Sequence, residues 1–485
     1  MVKNFAKQYI NGQWKDGSSE KTLKNINPYN EDEIFEMNSA SDKDLDAAYQ
    51  AAADVQQTWA KTLPAEKQQL LDRVSQIIDE RKEEIINWLV KESGSTHIKA
   101  ELELSVAQRI IKESASFPYR MKGQIMASDI PGKENFVYKN AKGVIGIIGP
   151  WNFPFHLSMR SVAPAIATGN TVVLKPASDT IVTAGTLIAD IFEEAGAPNG
   201  VINVIAGRGS EIGDAFVQHP IPKVISFTGS TEVGRHIAKQ AGEHIKETAL
   251  ELGGNNVLIV TEDADLEAAA ESAAFGKFMH QGQICMSINR ILVNQNVHDS
   301  FVELFKKKVE TLAAGDPSDE KTVIGPLINN SQVERIQSDV EESIKQGAKI
   351  LIKPEVDGNL IHPTILTNVT NDMPIAKNEI FGPVAPILSF KTEEEAIRIA
   401  NELPYGLSGA VHTSDLHKGV ELAQQIESGM VHVNDQPVND EAHMAFGGEK
   451  DSGLGRFGGE WVLNKFTTEK WISVQKERRQ YPFFE

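Results

Sequence analysis

Apolar and polar residues follow two different periods along this chain. Over residues 41 to 118 apolar side chains recur at helical spacing among many charges, which predicts a run of helices. Asp42-Lys43-Asp44-Leu45-Asp46-Ala47-Ala48 opens one of them, and its acidic first turn suits the helix dipole. Residues 119 to 141 lose that period, and Pro131-Gly132 with the alternating Phe136-Val137-Tyr138 reads as a hairpin. From residue 142 short β-branched runs take over: Val144–Ile148, Thr171–Leu174, Val201–Ile205, Val224–Phe227 and Asn256–Val260. Amphipathic segments bounded by Gly and Pro separate the first four. That β-α-β-α-β order implies a parallel sheet covered by helices. Such sheets bind ligands at the carboxyl ends of their strands. A second alternating set follows, with strand candidates Arg290–Val293, Lys349–Ile352, Pro386–Phe390, Ser408–His412 and Met430–Val433 and a helix from about 298 to 313. It reads as a second α/β domain. The tail from 465 to 485 is polar-aromatic and basic, and runs through Tyr481-Pro482-Phe483-Phe484.

Composition narrows the function. A chain of 485 residues exceeds one ordinary core, so two or three domains are expected. A net charge of −19 repels phosphate backbones and anionic membranes, which makes nucleic acid and lipid poor partners. No apolar segment follows Met1-Val2-Lys3-Asn4-Phe5-Ala6-Lys7-Gln8, and no run is long enough to span a bilayer. The single cysteine rules out an intramolecular disulfide and a cysteine-based zinc site, and fits a reducing cytoplasm. No H-E-x-x-H occurs and none of the 12 histidines forms a recognisable ligand pair, so no metal is expected.

Five fragments carry chemistry, each with a plainer alternative. Cys285, in Gln281-Gly282-Gln283-Ile284-Cys285-Met286, is either a small buried hydrophobe or a nucleophile set among polar neighbours. Glu251, in Leu250-Glu251-Leu252-Gly253-Gly254-Asn255, is either a solvated strand end or a desolvated base. Asn152, in Ile148-Gly149-Pro150-Trp151-Asn152-Phe153-Pro154, is a turn residue or an amide donor to an oxyanion. Phe227-Thr228-Gly229-Ser230-Thr231-Glu232-Val233-Gly234 is a capped helix start or a pyrophosphate loop. Nearby, Gly207 to Gly213 resembles a dinucleotide fingerprint but is one residue too long. Glu379 and Phe381, two apart, share a side if extended and suit a ribose and a flat ring, or else close a strand before Gly382-Pro383.

Together, in this order and spacing, the fragments resemble the NAD(P)-dependent aldehyde dehydrogenase superfamily over essentially the whole chain. The resemblance implies a Rossmann-like cofactor domain (residues 1–118 and 142–253), an α/β catalytic domain (254–452) and a small β oligomerisation hairpin with the tail (119–141 and 453–485). It implies a homodimer or homotetramer, and the single cysteine places it in the cytoplasm. Cys285 would be the thiolate attacking the aldehyde, Asn152 and the Cys285 N–H would hold the oxyanion, and Glu251 would activate water against the thioester. Glu379 and Phe381 would meet the nicotinamide ribose and ring, Gly229, Ser230 and Gly234 the pyrophosphate, and Gly209 and Gly213 the adenosine. Ile148, Trp151, Phe227, Val233 and Leu252 complete the cofactor contacts that the resemblance implies.

Lys175-Pro176-Ala177-Ser178 departs from the Lys-Pro-x-Glu of many NAD-preferring relatives. Ser178 removes a carboxylate that would repel a 2′-phosphate while Lys175 remains, so NADP is expected to be accepted as well as NAD. The segment 434–448, Arg160 and the Arg479–Phe483 tail resemble the benzaldehyde and vanillin dehydrogenase branch. Phe153 and Phe446 would then line a slot for a flat ring, and Arg160 or His156 would meet a ring hydroxyl; alternatively Arg160 pairs with a carboxylate. A CoA-acylating semialdehyde dehydrogenase usually lacks the base that Glu251 supplies. A non-catalytic dinucleotide-binding protein on the same fold would be expected to lose Cys285 or Glu251.

Overall fold

The computed structural model describes residues 5–483; Met1–Asn4 and Phe484 of the terminal readings lie outside the described residues. The helical stretch resolves into Asp42–Lys61, Pro64–Glu80, Lys82–Ser93, His97–Ala115 and the short Phe117–Arg120. Ser41 caps the first, and the Asp44 carboxylate returns the bond to the Ser41 N–H. Gly94, at φ 64°, ends the third, where a left-handed residue is needed.

Two sheets organise the rest. The first has eight strands in the order Gln13–Lys15, Gln8–Ile10, Ile202–Val204, Thr171–Lys175, Val144–Ile148, Val224–Thr228, Glu247–Glu251, Gly453–Leu454. Its five central strands are parallel, and an antiparallel strand flanks them at each side. The second sheet orders seven strands: Lys349–Ile352, Thr364–Thr367, Val384–Phe390, Ile288–Asn294, Asn256–Val260, Gly409–His412 and His432–Val433. Ile288–Asn294 and Asn256–Val260 are buried at every position, which is why they read as continuous apolar runs rather than alternating ones.

Three expectations change. Asn256–Val260, last of the first run of strand candidates, belongs to the second sheet, because Gly253-Gly254 carries the chain across after Glu251. The N-terminal strands and Glu247–Glu251, where charges mask the apolar period, were not anticipated. The polar-aromatic tail contains a nine-residue strand, Thr467–Gln475, paired along its length with Lys133–Ala141. The expected hairpin, Gln124–Met126 with Lys133–Ala141, thereby becomes a three-stranded antiparallel sheet.

Candidate active site

The carboxyl ends of the parallel strands set one wall. Ile148, Lys175, Thr228 and Glu251 each end a strand, in adjacent registers. Glu251 is 2% exposed, and neither carboxylate oxygen has a hydrogen-bond partner. Burial pushes its carboxyl up from 4.5 to about 8; Arg160 and Arg456 pull it down and Asp440 pushes further up. The loop 446–447 closes over it: a Cβ on Gly447 would lie 3.1 Å from Glu251 Oε1.

Cys285 follows a sharp turn. His280, Gln281 and Gly282 have φ of 49°, 54° and 74°, three left-handed residues in succession. Two of them carry side chains, so the surrounding packing holds a strained segment. The Cys285 carbonyl accepts the Asn256 amide at 2.7 Å. Gly254 must lack a side chain, since its Cβ would stand 2.4 Å from that carbonyl. The half-buried thiol is pushed up to about 12 by burial and by the fields of Glu251 and Glu379, with Arg160 opposing.

Asn152 lies between the strand Val144–Ile148 and the helix Pro154–Ala167. Its amide donates to the Gln283 carbonyl at 2.9 Å, two residues before Cys285, and its own carbonyl accepts Lys99 Nζ at 2.7 Å. This leaves one amide hydrogen of Asn152 unused.

On the other side, Glu379 Oε1 accepts the Gly254 N–H at 2.9 Å. Arg335 holds the backbone carbonyls of Glu379 and Ile380. The segment leaves the expected extended path at Phe381, which has φ 50° and whose ring meets Trp151 edge-on at 5.5 Å. Burial raises the Glu379 carboxyl to about 7, against the Gly254 bond, Arg335 and the buried Lys277.

The Gly229–Gly234 segment opens the helix Thr231–Glu243. Ser230 caps it, its Oγ accepting the Val233 N–H at 3.4 Å, so the plainer reading of Ser230 holds at least locally. Added Cβ atoms would strike the Phe227 ring at Gly229 (2.4 Å) and Leu252 at Gly234 (2.2 Å), so these two glycines are needed by packing. Gly209 and Gly213, by contrast, border open space. Val233 is exposed and Ser178 half-buried. Lys175 is buried; burial lowers its ammonium to about 8 and Asp179 opposes this.

Arg160 is not free. Its guanidinium pairs with Asp440 Oδ2 at 3.0 Å, where His156 Nε2 also sits at 3.2 Å, and stacks 3.5 Å over the Phe446 ring centroid. The carboxylate alternative for Arg160 is therefore the observed one. Phe153 faces His280 edge-on at 5.5 Å. The charges of Glu251, Glu379, Arg160 and Asp440 thus bear on Cys285, and Asn152, beside Phe153, reaches the cysteine loop through the Gln283 carbonyl; Phe446 stacks on Arg160, and Phe381 meets Trp151. Sequence reasoning missed Asp440, Asn256, Lys277 and Lys99. Only Gly253-Gly254, directly before two asparagines, signalled a crossover of this kind.

The sequence model of the aldehyde dehydrogenase family matches residues 14–472. The chain is 52% identical over 472 residues to a vanillin dehydrogenase of Corynebacterium glutamicum, covering 97% of this chain and 98% of that protein. It is 51% identical over 477 residues to a benzaldehyde dehydrogenase of Bacillus subtilis, covering 98% of each. A crystal structure of an NAD-dependent benzaldehyde dehydrogenase from Corynebacterium glutamicum superposes with a TM-score of 0.91 at 48% identity, covering 98% of this chain and 99% of that one.

Proposed function

The chain belongs to the aldehyde dehydrogenase family, and from that premise we propose that it oxidises benzaldehyde- and vanillin-like aldehydes to carboxylic acids through Cys285 and Glu251. The observation that carries the mechanism is the bare, buried Glu251 carboxylate beside the cysteine loop. Desolvation without hydrogen bonds puts its affinity for a proton near neutrality, where a general base works best. The Glu251 charge adds to burial in raising the Cys285 thiol, so a neutral Glu251 makes the thiol easier to ionise. Cys285 Sγ bonds the aldehyde carbon as its proton passes to water, and the spare Asn152 hydrogen with the Cys285 N–H stabilises the oxyanion. NAD or NADP, held by Glu379 and the Gly229–Gly234 segment, would supply the hydride acceptor through which the thiohemiacetal on Cys285 becomes a thioester. Glu251 then takes a proton from water as its oxygen attacks the thioester carbon, and the acid leaves as the sulfur regains a proton.

The residues fit the cofactor. Glu379 commits one oxygen to Gly254 and leaves the other for a ribose, and the packing-shaved Gly229 and Gly234 let backbone approach a pyrophosphate beside the Thr231–Glu243 helix start. Ile148, Trp151, Phe227, Val233 and Leu252 would flank it, with Gly209 and Gly213 leaving room for the adenosine. Ser178 and Lys175 would tolerate a 2′-phosphate, which supports NADP beside NAD. Phe153 and Phe446 offer faces to a ring, and Arg160, held by Asp440, presents its remaining N–H groups. The two large sheets and the three-stranded one support a division into cofactor (1–118, 142–253), catalytic (254–452) and oligomerisation (119–141, 453–485) parts, except that Gly453–Leu454 of the third part pairs with Glu247–Glu251 in the first sheet. Ile125 (77% exposed) and Trp471 (67%) on that third sheet support a homo-oligomer, a dimer or tetramer. No helix among the described residues is long and apolar enough to cross a membrane, and we place the enzyme in the cytoplasm.

Steady-state rates over an aldehyde panel with both cofactors test this reading. Higher kcat/KM for benzaldehyde and vanillin than for acetaldehyde or succinic semialdehyde, with turnover on NADP as well as NAD, is expected. Preference for a short aliphatic aldehyde overturns the substrate, and strict NAD dependence overturns the cofactor assignment.

A further inference from the structure

The helix Pro154–Ala167 starts without a cap of its own. Phe153 occupies the N-cap position and offers no side-chain acceptor, and Pro154 has no N–H. The next two N–H groups, of Phe155 and His156, both donate to a single oxygen, Glu103 Oε1, at 2.9 and 3.1 Å. Glu103 lies on a different helix, His97–Ala115, and is 0% exposed. Its other oxygen accepts Lys99 Nζ at 2.5 Å, one helical turn back. Lys99 spends its remaining two hydrogens on Ser95 Oγ at 2.8 Å and on the Asn152 carbonyl at 2.7 Å. The same ammonium sits 4.2 Å from the centroid of the Phe153 ring.

One buried ion pair thus holds both ends of the segment 152–156. It sets the peptide plane after Asn152, the placement of the Phe153 ring and the start of the following helix. A surface pair would be worth little, but this one has every donor of Lys99 satisfied and borrows the positive end of a helix for Glu103. We propose that Lys99 and Glu103 are positioning residues that aim the Asn152 amide at the oxyanion and fix Phe153 against the substrate ring. This rests on the oxyanion role given to Asn152 above.

A purely structural pair would weaken the fold without regard to Asn152, whereas a positioning pair acts through it. The test is a double-mutant cycle in the full chain: Lys99→Met, Asn152→Ala and both together, with kcat and KM for aldehyde and for NAD, and thermal unfolding alongside. Lys99→Met is expected to lower kcat about tenfold or more, since small misplacements of a catalytic group are costly, with KM for NAD unchanged. In the Asn152→Ala background the same substitution should change kcat by less than about twofold. Equal loss in both backgrounds, or a Lys99→Met enzyme within about twofold of the parent, overturns the proposal. An Asn152→Ala enzyme of undiminished rate overturns the oxyanion reading itself and this one with it. If Lys99→Met does not fold, Glu103→Gln, which keeps a carbonyl for the helix N–H groups, runs through the same cycle with the same expected and contrary outcomes.

Discussion

Glu92 and Glu251 are both carboxylates sealed from water, in pockets of opposite kinds. Around Glu92 the chain supplies four donors: the Asn25 amide at 2.7 Å, the Val182 and Thr183 N–H groups at 2.8 and 2.7 Å, and the Thr183 hydroxyl at 2.6 Å. Glu251 has none. Burial raises both carboxyls, to about 7 for Glu92, where the four bonds restrain it, and to about 8 for Glu251. Bonded on all sides, Glu92 fastens the turn Val182–Thr186 to the helix Lys82–Ser93. Glu251 keeps both acceptor oxygens uncommitted, as the proposed water-activating role requires. A buried carboxylate is therefore a poor clue until its donors are counted.

The same isosteric change at both positions breaks or sharpens that contrast. Glu251→Gln should lower kcat by roughly 10² to 10⁴, the usual contribution of a general base, with a fold intact by circular dichroism. Glu92→Gln should leave kcat/KM near the parent value and cost about 1–3 kcal/mol of stability, because an amide cannot accept four hydrogen bonds. Urea unfolding of the two variants checks the pair; a stable, inactive Glu92→Gln would dissolve the distinction.

The smallest effect concerns pH. Glu251 binds its proton more tightly folded than unfolded, so its contribution to stability is complete below about pH 4.5 and is lost as pH rises through about 8. Glu251→Gln, which stays neutral, should therefore gain stability relative to the parent between pH 5 and 8, by about 1 kcal/mol or more at the upper end. Unfolding midpoints across that range would show it, and a constant difference would contradict the bare-carboxylate picture.

Much of this was legible in the sequence, for physical reasons that differ by element. Val144–Ile148 and Thr171–Lys175 are buried on both faces, so their apolar runs stand out. Cys285, Glu251 and Asn152 are short motifs whose chemistry depends on residue type, and their fragments kept that signal. Thr467–Gln475 did not stand out, because it is exposed almost throughout and draws its order from pairing with Lys133–Ala141. Asp440, Lys99 and Glu103 were hidden for another reason. Each gains meaning only from a partner far along the chain, and in sequence they are ordinary charges on helices and loops. Arg160 was legible both ways, as a ligand contact or as the partner of a carboxylate, but which carboxylate was hidden, because Asp440 lies 280 residues along the chain.

The most direct measurement is rapid mixing of the Glu251→Gln enzyme with NAD and benzaldehyde, followed by intact-mass analysis. If Cys285 forms the thioester and Glu251 serves its hydrolysis, NADH should appear in a burst of about one equivalent per site, followed by a slow steady state. A benzoyl adduct should then be found on Cys285. Steady turnover at the parent rate, with no burst and no adduct, would contradict the account.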